Sequence, residues 1–553
     1  MPETLSQRII QRLLPRVKSP AQYIGGEINQ PDKVRQEAEV RVALAFPDTY
    51  AVGMSNVGLA ILYEALNRLE GVVAERVFCP WIDAAEVMRA ENIGLFSWDS
   101  HRLVADFDIL GISLQHELAY SNVLYLLDLA GLPFRAVKRD ERHPLVVGGG
   151  PVADCCEPVA DFFDVILPGD GEEIFPAVVD FYRESRQQGL SRRDLLTALA
   201  RRFDCVYVPA FYEVSYFPDG RLARCEPTVE GIPHVVRRSQ VEILDEAVFP
   251  AAPLVAHTEC IHDRIAIEVM RGCPQRCVFC HAGHTRGKVR IRSVEHILDI
   301  AQKSYQATGH DTISLLSLST SDYPYLAELT RRLYDVFVEK HVGISLPSLR
   351  VDKQLKEVPA SVADVRREGL TLAVEAARVP LRRAIGKRLT DDDLLATMRQ
   401  AYQAGWRKVK LYFIVGFPGE TWDDIDGIIE LAARISALRR EVVGSSATVN
   451  VTISWLVPKP HTPLAWAPQQ IREYFHQVRR RLLDAKYQWR GTSIKLKFHD
   501  IERSLLEGVF ARGDRRLSGV LEEAYRLGAK FDAWDECFKP DLYEQAMMTY
   551  GCL

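Results

Sequence analysis

The sequence predicts an α/β protein in which a Rossmann-like domain is followed by a partial (βα)6 barrel and a helical C-terminal segment. Short apolar segments alternate with amphipathic helical patterns over residues 41–185, and the alternation resumes at Ile265. Strands that alternate with helices favour parallel sheets with helices packed on their faces. The predicted parts are an N-terminal helical segment (1–40), the Rossmann-like domain (41–185), a connector (186–263), the barrel (264–465) and the C-terminal helical segment (466–553).

Four strands are predicted in the first domain, and each ends in glycine, proline or a polar residue. They are RVALAFP (41–47), FDILGISL (107–114), PLVVGGG (144–150) and DVILPG (164–169). Helical patterns such as NVGLAILYEALNRL lie between them. Ligands of such sheets bind outside the carboxyl ends of the strands, so the loops that follow these strands are the candidate ligand-binding segments.

Six strands are predicted in the second alternating region, which is typical of a partial TIM barrel. They are IAIEVM, TISLLSL (312–318), VGISLPSL (342–349), LTLAVEA (370–376), VKLYFIVG (409–416) and TVNVTISWLV (448–457). A barrel of this type has its site at the carboxyl ends of the strands. In the connector, YFPDGRLAR predicts a hairpin.

Composition excludes several classes of protein. The net charge of −5 argues against a protein that coats nucleic acid by bulk charge, and there is no clear nucleic-acid signal. No segment has the length and apolar character of a membrane span. The N-terminus has apolar residues at helical spacing, which predicts a docking helix instead of a secretory signal. The eleven scattered and clustered cysteines fit a reducing cytoplasm better than a disulfide framework.

Three cysteines lie within eight residues of each other, in the stretch EVMRGCPQRCVFCHAGHTRGK. They are Cys273, Cys277 and Cys280, and they follow the first predicted barrel strand. Thiolates bind soft metals, but a structural zinc site and a stable iron–sulfur cubane both usually take four protein ligands. Three cysteines therefore predict a cluster with one iron open to an external ligand. The alternatives are a zinc site completed by His281 or His284, and chance clustering.

This C-x3-C-x2-C motif resembles the signature of the radical S-adenosylmethionine (SAM) superfamily. The resemblance implies a [4Fe-4S] cluster held by Cys273, Cys277 and Cys280, with SAM chelating the open iron. It also implies reductive cleavage of SAM to methionine and a 5′-deoxyadenosyl radical, which abstracts hydrogen from the substrate. An electron donor such as flavodoxin or ferredoxin is the implied partner.

Further segments resemble the later motifs of that superfamily in the expected order. The resemblance implies contacts with SAM from the second-strand segment SLSTSDY, the fourth-strand segment LAVEAA, the fifth-strand segment KLYFIVGFPGET and the end of the sixth strand. The fourth-strand segment departs from the family pattern, because EAARV stands where relatives commonly read Glu-Ala-Gly-Ser. The residues implied in cofactor binding are Phe279, Ser319, Thr320, Glu375, Gly416, Leu456 and Val457.

The first domain resembles the cobalamin-binding, Rossmann-like domain of the cobalamin-dependent radical SAM subclass. The resemblance rests on FDILGISLQHEL, on LVVGGGPVADCCEPVADFFDVILPGDGEE and on the domain order. It implies that the strand-end loops hold the corrin, although the domain is alternatively a vestigial one that shapes the barrel mouth. His101 is interpreted as a surface or packing residue. The implied cobalamin-binding residues are Ser55, Asn56, Gly58, Ser113, Gln115, Gly148, Gly149, Gly150, Gly169 and Gly171.

Basic residues alternate in HTRGKVRIRS, which follows the cysteines. Arg286, Lys288, Arg290 and Arg292 either form a solvated edge or contact an anion, such as the SAM carboxylate or a negatively charged substrate. The C-terminal RGDRR either lines the substrate side or forms an ion-paired helix turn.

Three functional hypotheses follow from these patterns. The first is a radical SAM enzyme, with methyl transfer through methylcobalamin as its extension. The second is a methylthiotransferase that modifies tRNA or a ribosomal protein, for which Cys79, Cys155 and Cys156 are the available ligands of a second cluster. The third is a zinc-stabilised, non-enzymatic RNA-binding or scaffold protein. Nothing in the sequence identifies the substrate.

Overall fold

The first sheet has five parallel strands in the order β2-β1-β3-β4-β5. The computed structural model describes residues 3–346, 370–489 and 492–551. The order in which strands are added to the sheet reverses between β1 and β3, so the carboxyl ends of these two strands form the expected ligand crevice. The strands are β1 (Val40–Phe46), β2 (Val72–Phe78), β3 (Ile109–Ser113), β4 (Leu145–Gly149) and β5 (Val165–Leu167).

Helices cover both faces of this sheet, as a buried parallel sheet requires. The N-terminal docking helix is short: α1 (Leu5–Arg8) continues into a π-helical turn in which Ile9 and Leu13 are buried and Ile10 is exposed. The others are α2 (Tyr50–Gly53), α3 (Val57–Asn67), α4 (Ile82–Ala90), α5 (Tyr120–Leu129), α6 (Gly171–Gln187) and α7 (Arg192–Arg202). The connector hairpin is confirmed as β6 (Tyr212–Tyr216) and β7 (Leu222–Pro227).

The edge strand β2 was absent from the strands predicted from sequence, because Glu75 and Arg76 interrupt its apolar pattern. Both side chains are nevertheless buried. The Arg76 guanidinium binds the Asp99 and Glu27 carboxylates, each at 2.8 Å. The Tyr63 hydroxyl donates to Asp99 at 2.9 Å. Glu75 pairs with Arg41 at 3.1 Å, so each charge of this buried strand has a partner.

The barrel strands form two parallel groups. One group has the order β12-β11-β8 and the other β13-β14-β15-β16. Between β9 and β10 the chain makes a small antiparallel ribbon that encloses the cysteine loop. The strands are β8 (Ile265–Glu268), β9 (Met270–Arg271), β10 (Arg290–Ile291), β11 (Thr312–Leu316), β12 (Gly343–Ser345), β13 (Leu370–Glu375), β14 (Lys408–Val415), β15 (Thr448–Trp455) and β16 (Ser493–Phe498).

The strand β16 adds a strand to the predicted partial barrel, and it lies in the C-terminal segment that the sequence predicts to be mostly helical. It pairs in parallel with β15 from Thr448 to Ile453. Ile494, Leu496 and Phe498 alternate with polar residues, as in a half-buried edge strand. The end of the predicted strand VGISLPSL lies outside the described residues.

Helices alternate with the barrel strands, and the last three return to the first domain. Phe510, Val520 and Tyr543 belong to the same buried cluster as the core of the first sheet. In the described part of the chain, no helix is long and apolar enough to span a bilayer. The helices are α8 (His281–Thr285), α9 (Val294–Thr308), α10 (Leu326–Phe337), α11 (Val379–Ala384), α12 (Asp391–Gln403), α13 (Trp422–Val443), α14 (Arg472–Gln488), α15 (Ile501–Ala511), α16 (Leu517–Leu527) and α17 (Pro540–Thr549).

We predict that Arg76→Ala destabilises the protein by about 3–5 kcal/mol, because it leaves two buried carboxylates without their cation. The control is Arg68→Ala, which removes an exposed pair with Glu64 and should cost at most about 0.5 kcal/mol. The measurement is urea unfolding followed by circular dichroism. Equal losses in the two variants would contradict the role assigned to the buried cluster.

Candidate functional site

A cavity of about 430 Å³ lies at the carboxyl ends of the first sheet and faces the barrel. Its walls come from β1, β3, β4 and β5, from the first turns of α3 and α6, and from the barrel segments around Met270 and Leu316. The crevice is therefore at the strand reversal where the sheet topology places a ligand. It is closed from the other side by the beginning of the cysteine loop.

The glycine-rich loops predicted from sequence meet in this cavity. Of the ten residues named for cobalamin, all except Ser55 line it. The Ser55 hydroxyl instead donates to Ala51 O and accepts from His262 N–H. Gly150 has a φ of +115°, and a Cβ there would lie 2.8 Å from Leu114 O, so only glycine fits this turn.

His101 lies away from the cavity and packs in the first domain. Its ring contacts Phe96 edge-on with the centroids 5.5 Å apart, and its Nε2 is 3.2 Å from Tyr23 O. The preceding Asp99 is bound to Arg76. This geometry agrees with the interpretation of His101 as a packing residue.

The cysteine loop begins after β9 and is held by backbone contacts on both sides. Gly272 has a φ of +88°, and a Cβ there would lie 2.9 Å from Lys288 O. Arg276 has a φ of +47°, which is uncommon for a residue with a side chain. Val278 N–H donates to Ile385 O, and His284 Nε2 lies 3.1 Å from Cys277 O. These constraints fix the loop in a tightly turned conformation.

The three predicted cluster cysteines lie in this loop and are close enough to influence one another. Burial raises the pKa of the Cys277 thiol, Lys387 opposes the rise, and Cys280 and Cys273 add to it. Among the described residues, no group of three or more His, Cys, Asp and Glu side chains is arranged to hold a single metal ion. Each thiolate of a four-iron cluster binds a different iron, so its cysteines stand further apart than the ligands of one ion.

A polar contact joins the cysteine loop to the end of β11. The Asp322 carboxylate accepts from Gln275 Nε2 at 2.8 Å and from the Ser319 hydroxyl at 2.7 Å. Ser319 therefore lies beside the loop. Thr320 is fully buried, and its hydroxyl is 2.9 Å from the Ser317 hydroxyl. Gln275 and Asp322 were not among the predicted site residues.

Glu375 ends β13 in a strained conformation next to the cysteine loop. Its φ is +68°, its side chain is buried, and its carboxylate is 3.3 Å from Lys387 Nζ. Burial raises the pKa of Glu375 and the Lys387 ammonium partly offsets this rise. Backbone strain of this kind clusters at functional sites. Lys387 was missed, although it ends the stretch EAARVPLRRAIGK that follows the motif glutamate.

An apolar cluster brings together residues from the cysteine loop and from the ends of β14 and β15. Phe279 packs edge-on against Phe417 with ring centroids 5.6 Å apart, and Leu456 belongs to the same cluster. Val457 is half-buried and lies outside the cluster. Phe279 and Leu456, two of the residues implied in cofactor binding, therefore lie in one apolar cluster.

The glycine turn after β14 is tied to a buried carboxyl group. Gly416 has a φ of +108°, and its N–H donates to Glu420 at 2.8 Å. The Tyr474 hydroxyl donates to the same carboxyl oxygen at 2.8 Å. Burial raises the pKa of Glu420 to about 7, while these hydrogen bonds lower it. Glu420 therefore lies beside the glycine turn that the sequence implies in cofactor binding.

The basic residues after the cysteines are not a uniform solvated edge. Arg290 and Arg292 are buried: Arg290 binds Asp170 at 2.6 Å, and Arg292 donates to the Leu244 carbonyl. Lys288 is exposed and pairs with Glu242. Arg286 lines the 430 Å³ cavity. Only Arg286 of the four is therefore placed to contact a ligand there.

In the C-terminal RGDRR, Arg515 binds Glu157.

Two family models match separate parts of the chain. Residues 267–432 match the radical SAM superfamily, and residues 58–209 match the N-terminal region of radical SAM proteins. The first match contains the three cysteines, Ser319, Glu375 and Gly416. The second contains nearly all of the cavity-lining loops of the first sheet.

Relatives match either most of the chain or mainly its second half. The uncharacterized protein MJ0966 of Methanocaldococcus jannaschii is 24% identical over 485 residues, 87% of this chain and 90% of that protein. The ribosomal protein uS12 methylthiotransferase RimO of a Synechococcus species is 28% identical over 234 residues. That match covers 39% of this chain and 45% of the methylthiotransferase, so this chain spans less than half of that relative.

Among solved structures, the radical SAM methyltransferase TsrM from Kitasatospora setae, with cobalamin and a [4Fe-4S] cluster bound, is similar with a TM-score of 0.48 and 15% identity. The match covers 77% of this chain and 76% of TsrM. Similarity at this level is too low to assign a ligand to this chain.

We predict that Gly272→Ala lowers iron loading to less than about half of the wild-type value, because the new Cβ meets the Lys288 carbonyl and moves Cys273. The control is Gly309→Ala. Gly309 also has a positive φ, +69°, but nothing lies within 4 Å of the added Cβ, so this variant should lose only about 1 kcal/mol of stability. Iron and sulfide are measured per chain after anaerobic reconstitution. Equal loading of both variants would show that the glycine is not needed to place the cysteine.

Proposed function

The chain belongs to the radical SAM superfamily, and from this premise we propose that it reductively cleaves SAM at a [4Fe-4S] cluster held by Cys273, Cys277 and Cys280. The observation that carries the proposal is the placement of the three thiols. They lie in one constrained loop at the carboxyl end of β8, inside the segment that matches the superfamily.

The donor set of the loop fits such a cluster. None of the three cysteines is in a disulfide. Metal binding requires thiolates, and the Lys387 ammonium favours the thiolate form of Cys277 against the effect of burial. Asp322 steadies the loop through Gln275. When bound, the cluster supplies the electron for cleavage of SAM, which yields methionine and a 5′-deoxyadenosyl radical.

The surrounding side chains divide into polar and apolar groups that suit the two ends of SAM. Ser319 and Glu375 lie near the loop and offer oxygen acceptors to an amino group. Phe279, Phe417 and Leu456 form an apolar surface against which adenine can pack and from which water is excluded. Exclusion of water protects a reactive radical from side reactions.

We extend the proposal to cobalamin in the 430 Å³ cavity of the first sheet. The cavity lies at the strand reversal, has a glycine rim, and is lined by Gly272 at the start of the cysteine loop. The glycine rim fits a bulky planar ligand, because it allows the backbone to approach closely. When bound, cobalamin supplies a methyl group, and the reaction class is then methylation of an unactivated carbon.

The methylthiotransferase alternative is supported by the relatives that carry that name. It requires a second cluster in the first domain. Cys79, Cys155 and Cys156 are all buried there, and burial raises the pKa of each thiol, which disfavours the thiolates that a cluster needs. A single-cluster enzyme is the better-supported proposal.

We expect the reduced, reconstituted protein to convert SAM to 5′-deoxyadenosine and methionine, with dithionite or flavodoxin as the electron donor. Cys273→Ala should abolish the conversion, whereas Cys260→Ala, which removes a connector thiol that contacts Thr258 O, should not. Iron analysis should give about four atoms per chain, against about eight for a two-cluster enzyme. A folded protein that carries its cluster and does not cleave SAM would contradict the proposal.

Cobalamin binding has its own test. The wild-type protein should retain hydroxocobalamin through gel filtration, seen by its visible absorbance. Gly58→Phe should prevent retention, because Gly58 lines the cavity and only Asn56 Oδ1 lies within 4 Å of an added Cβ. Arg68→Phe, at the exposed end of the same helix, is the control. Absence of corrinoid from the folded wild type would leave a cobalamin-independent radical enzyme.

A further inference from the structure

A second cavity, of about 530 Å³, lies on the other side of the cysteine loop. The connector forms one wall, the loops after β4 and β5 form another, and α8 with the turn after it forms the third. His284 lines the cavity and also contacts Cys277 O at 3.1 Å. A ligand in this cavity would therefore lie next to the loop that holds the cysteines.

Arg238, from the connector, has hydrogen-bond donors in this cavity that the protein does not satisfy. Its Nε and Nη1 atoms are buried and have no acceptor within the described residues. Asp154 Oδ1 is 3.2 Å from Nε, which makes an ion contact without hydrogen-bond alignment. An unsatisfied buried donor of a charged group is costly, so the Arg238 guanidinium has hydrogen-bonding capacity that a small movement toward an anion in the cavity would use.

Arg286 supplies a second guanidinium to the same cavity. No ion pair or side-chain hydrogen bond of Arg286 occurs in the described ranges, whereas its neighbour Arg290 is bound by Asp170 and Val241 O. Burial lowers the pKa of Arg286 and the positive charge of Arg238 lowers it further, while the Asp170 and Asp154 carboxylates oppose this. Two like charges held close together and partly buried are stabilised by an anion between them.

The carboxylates of the cavity fill this role only in part: Asp154 makes an ion contact with Arg238, and Asp154 and Asp170 both act on Arg286 through their charge. Glu157 is bound by Arg515 and Tyr207, and Asp170 is bound by Arg271 and Arg290. Asp154 is the remaining one. Its Oδ2 is buried without a hydrogen-bond donor in the described structure, and burial raises the pKa of the carboxyl group. The cavity thus presents two guanidinium groups together with one unsatisfied carboxyl oxygen.

We propose that this cavity binds a small phosphorylated ligand, with the phosphate held by Arg238 and Arg286 and a hydroxyl or amino group of the ligand donating to Asp154. A phosphate has three terminal oxygens, which suits two guanidinium groups that approach from different walls. Its position beside the cysteine loop makes this ligand the substrate of the radical reaction. That last identification rests on the proposed function, but the binding itself does not.

The test uses the full-length protein purified without air. Binding of inorganic phosphate is measured by isothermal titration calorimetry at constant ionic strength, with acetate and chloride as competing anions. The wild type should bind phosphate in preference to both. Arg238→Gln and Arg286→Gln should each weaken binding at least tenfold, because each removes charge-assisted hydrogen bonds. Lys288→Gln removes an equal charge from the exposed side of the same segment and should bind as the wild type does.

Each outcome decides the proposal. Failure of the wild type to bind phosphate, equal binding of acetate, or unchanged binding in both arginine variants would overturn it. Circular dichroism checks that the variants fold, and Arg286→Lys provides a second variant that keeps the charge but loses the planar fork. We expect this variant to bind more weakly than the wild type and more tightly than Arg286→Gln. If the protein cleaves SAM but does not bind phosphate, the proposed function holds and this inference is wrong. If it binds phosphate but does not cleave SAM, this inference holds and the proposed function is wrong.

Discussion

The site depends on one buried ionic contact, the carboxylate of Asp170 with the guanidinium groups of Arg271 and Arg290. Asp170 begins α6 in the first domain, and the two arginines lie on the ribbon that encloses the cysteine loop. Val241 N–H of the connector donates to the same carboxylate. Burial raises the pKa of Asp170, but the two arginines hold it below its usual value. A single charged group therefore fixes three segments of the chain relative to one another.

This ionic contact contributes more to the orientation of the segments that it joins than to the free energy of folding. Buried ion pairs recover little beyond their desolvation cost, so an apolar substitute of similar volume would hold the domains together as well. An apolar contact would not fix the orientation of the loop, because dispersion forces have little directionality. Arg271 also binds Glu172 at 2.6 Å and Glu268 at 2.8 Å. We infer that this network specifies where the cysteine loop lies with respect to the cavity of the first sheet.

The sequence predicted the elements whose apolar residues follow a regular pattern. It missed elements that contain charged residues whose burial depends on oppositely charged partners elsewhere in the chain. Runs such as that of β4 are uniformly apolar and were identified, whereas β2 carries Glu75 and Arg76 and becomes a buried strand only through Asp99 and Glu27. The glycine loops around the first cavity could be found because each follows an apolar strand. Lys387 and Asp170 could not, since their roles depend on residues more than ten positions away in sequence.

The two cavities share both Asp170 and Arg286, so they are separated by little more than this network. A ligand that orders Arg286 in one cavity changes the electrostatic potential in the other cavity. It also reduces the mobility of the side chain that a second ligand would contact there. Binding free energies coupled in this way are reciprocal, whichever ligand binds first. The cysteine loop lies between them, tied to the network through Arg271 and to the second cavity through His284. We infer that occupancy of either cavity affects the loop through these side-chain contacts.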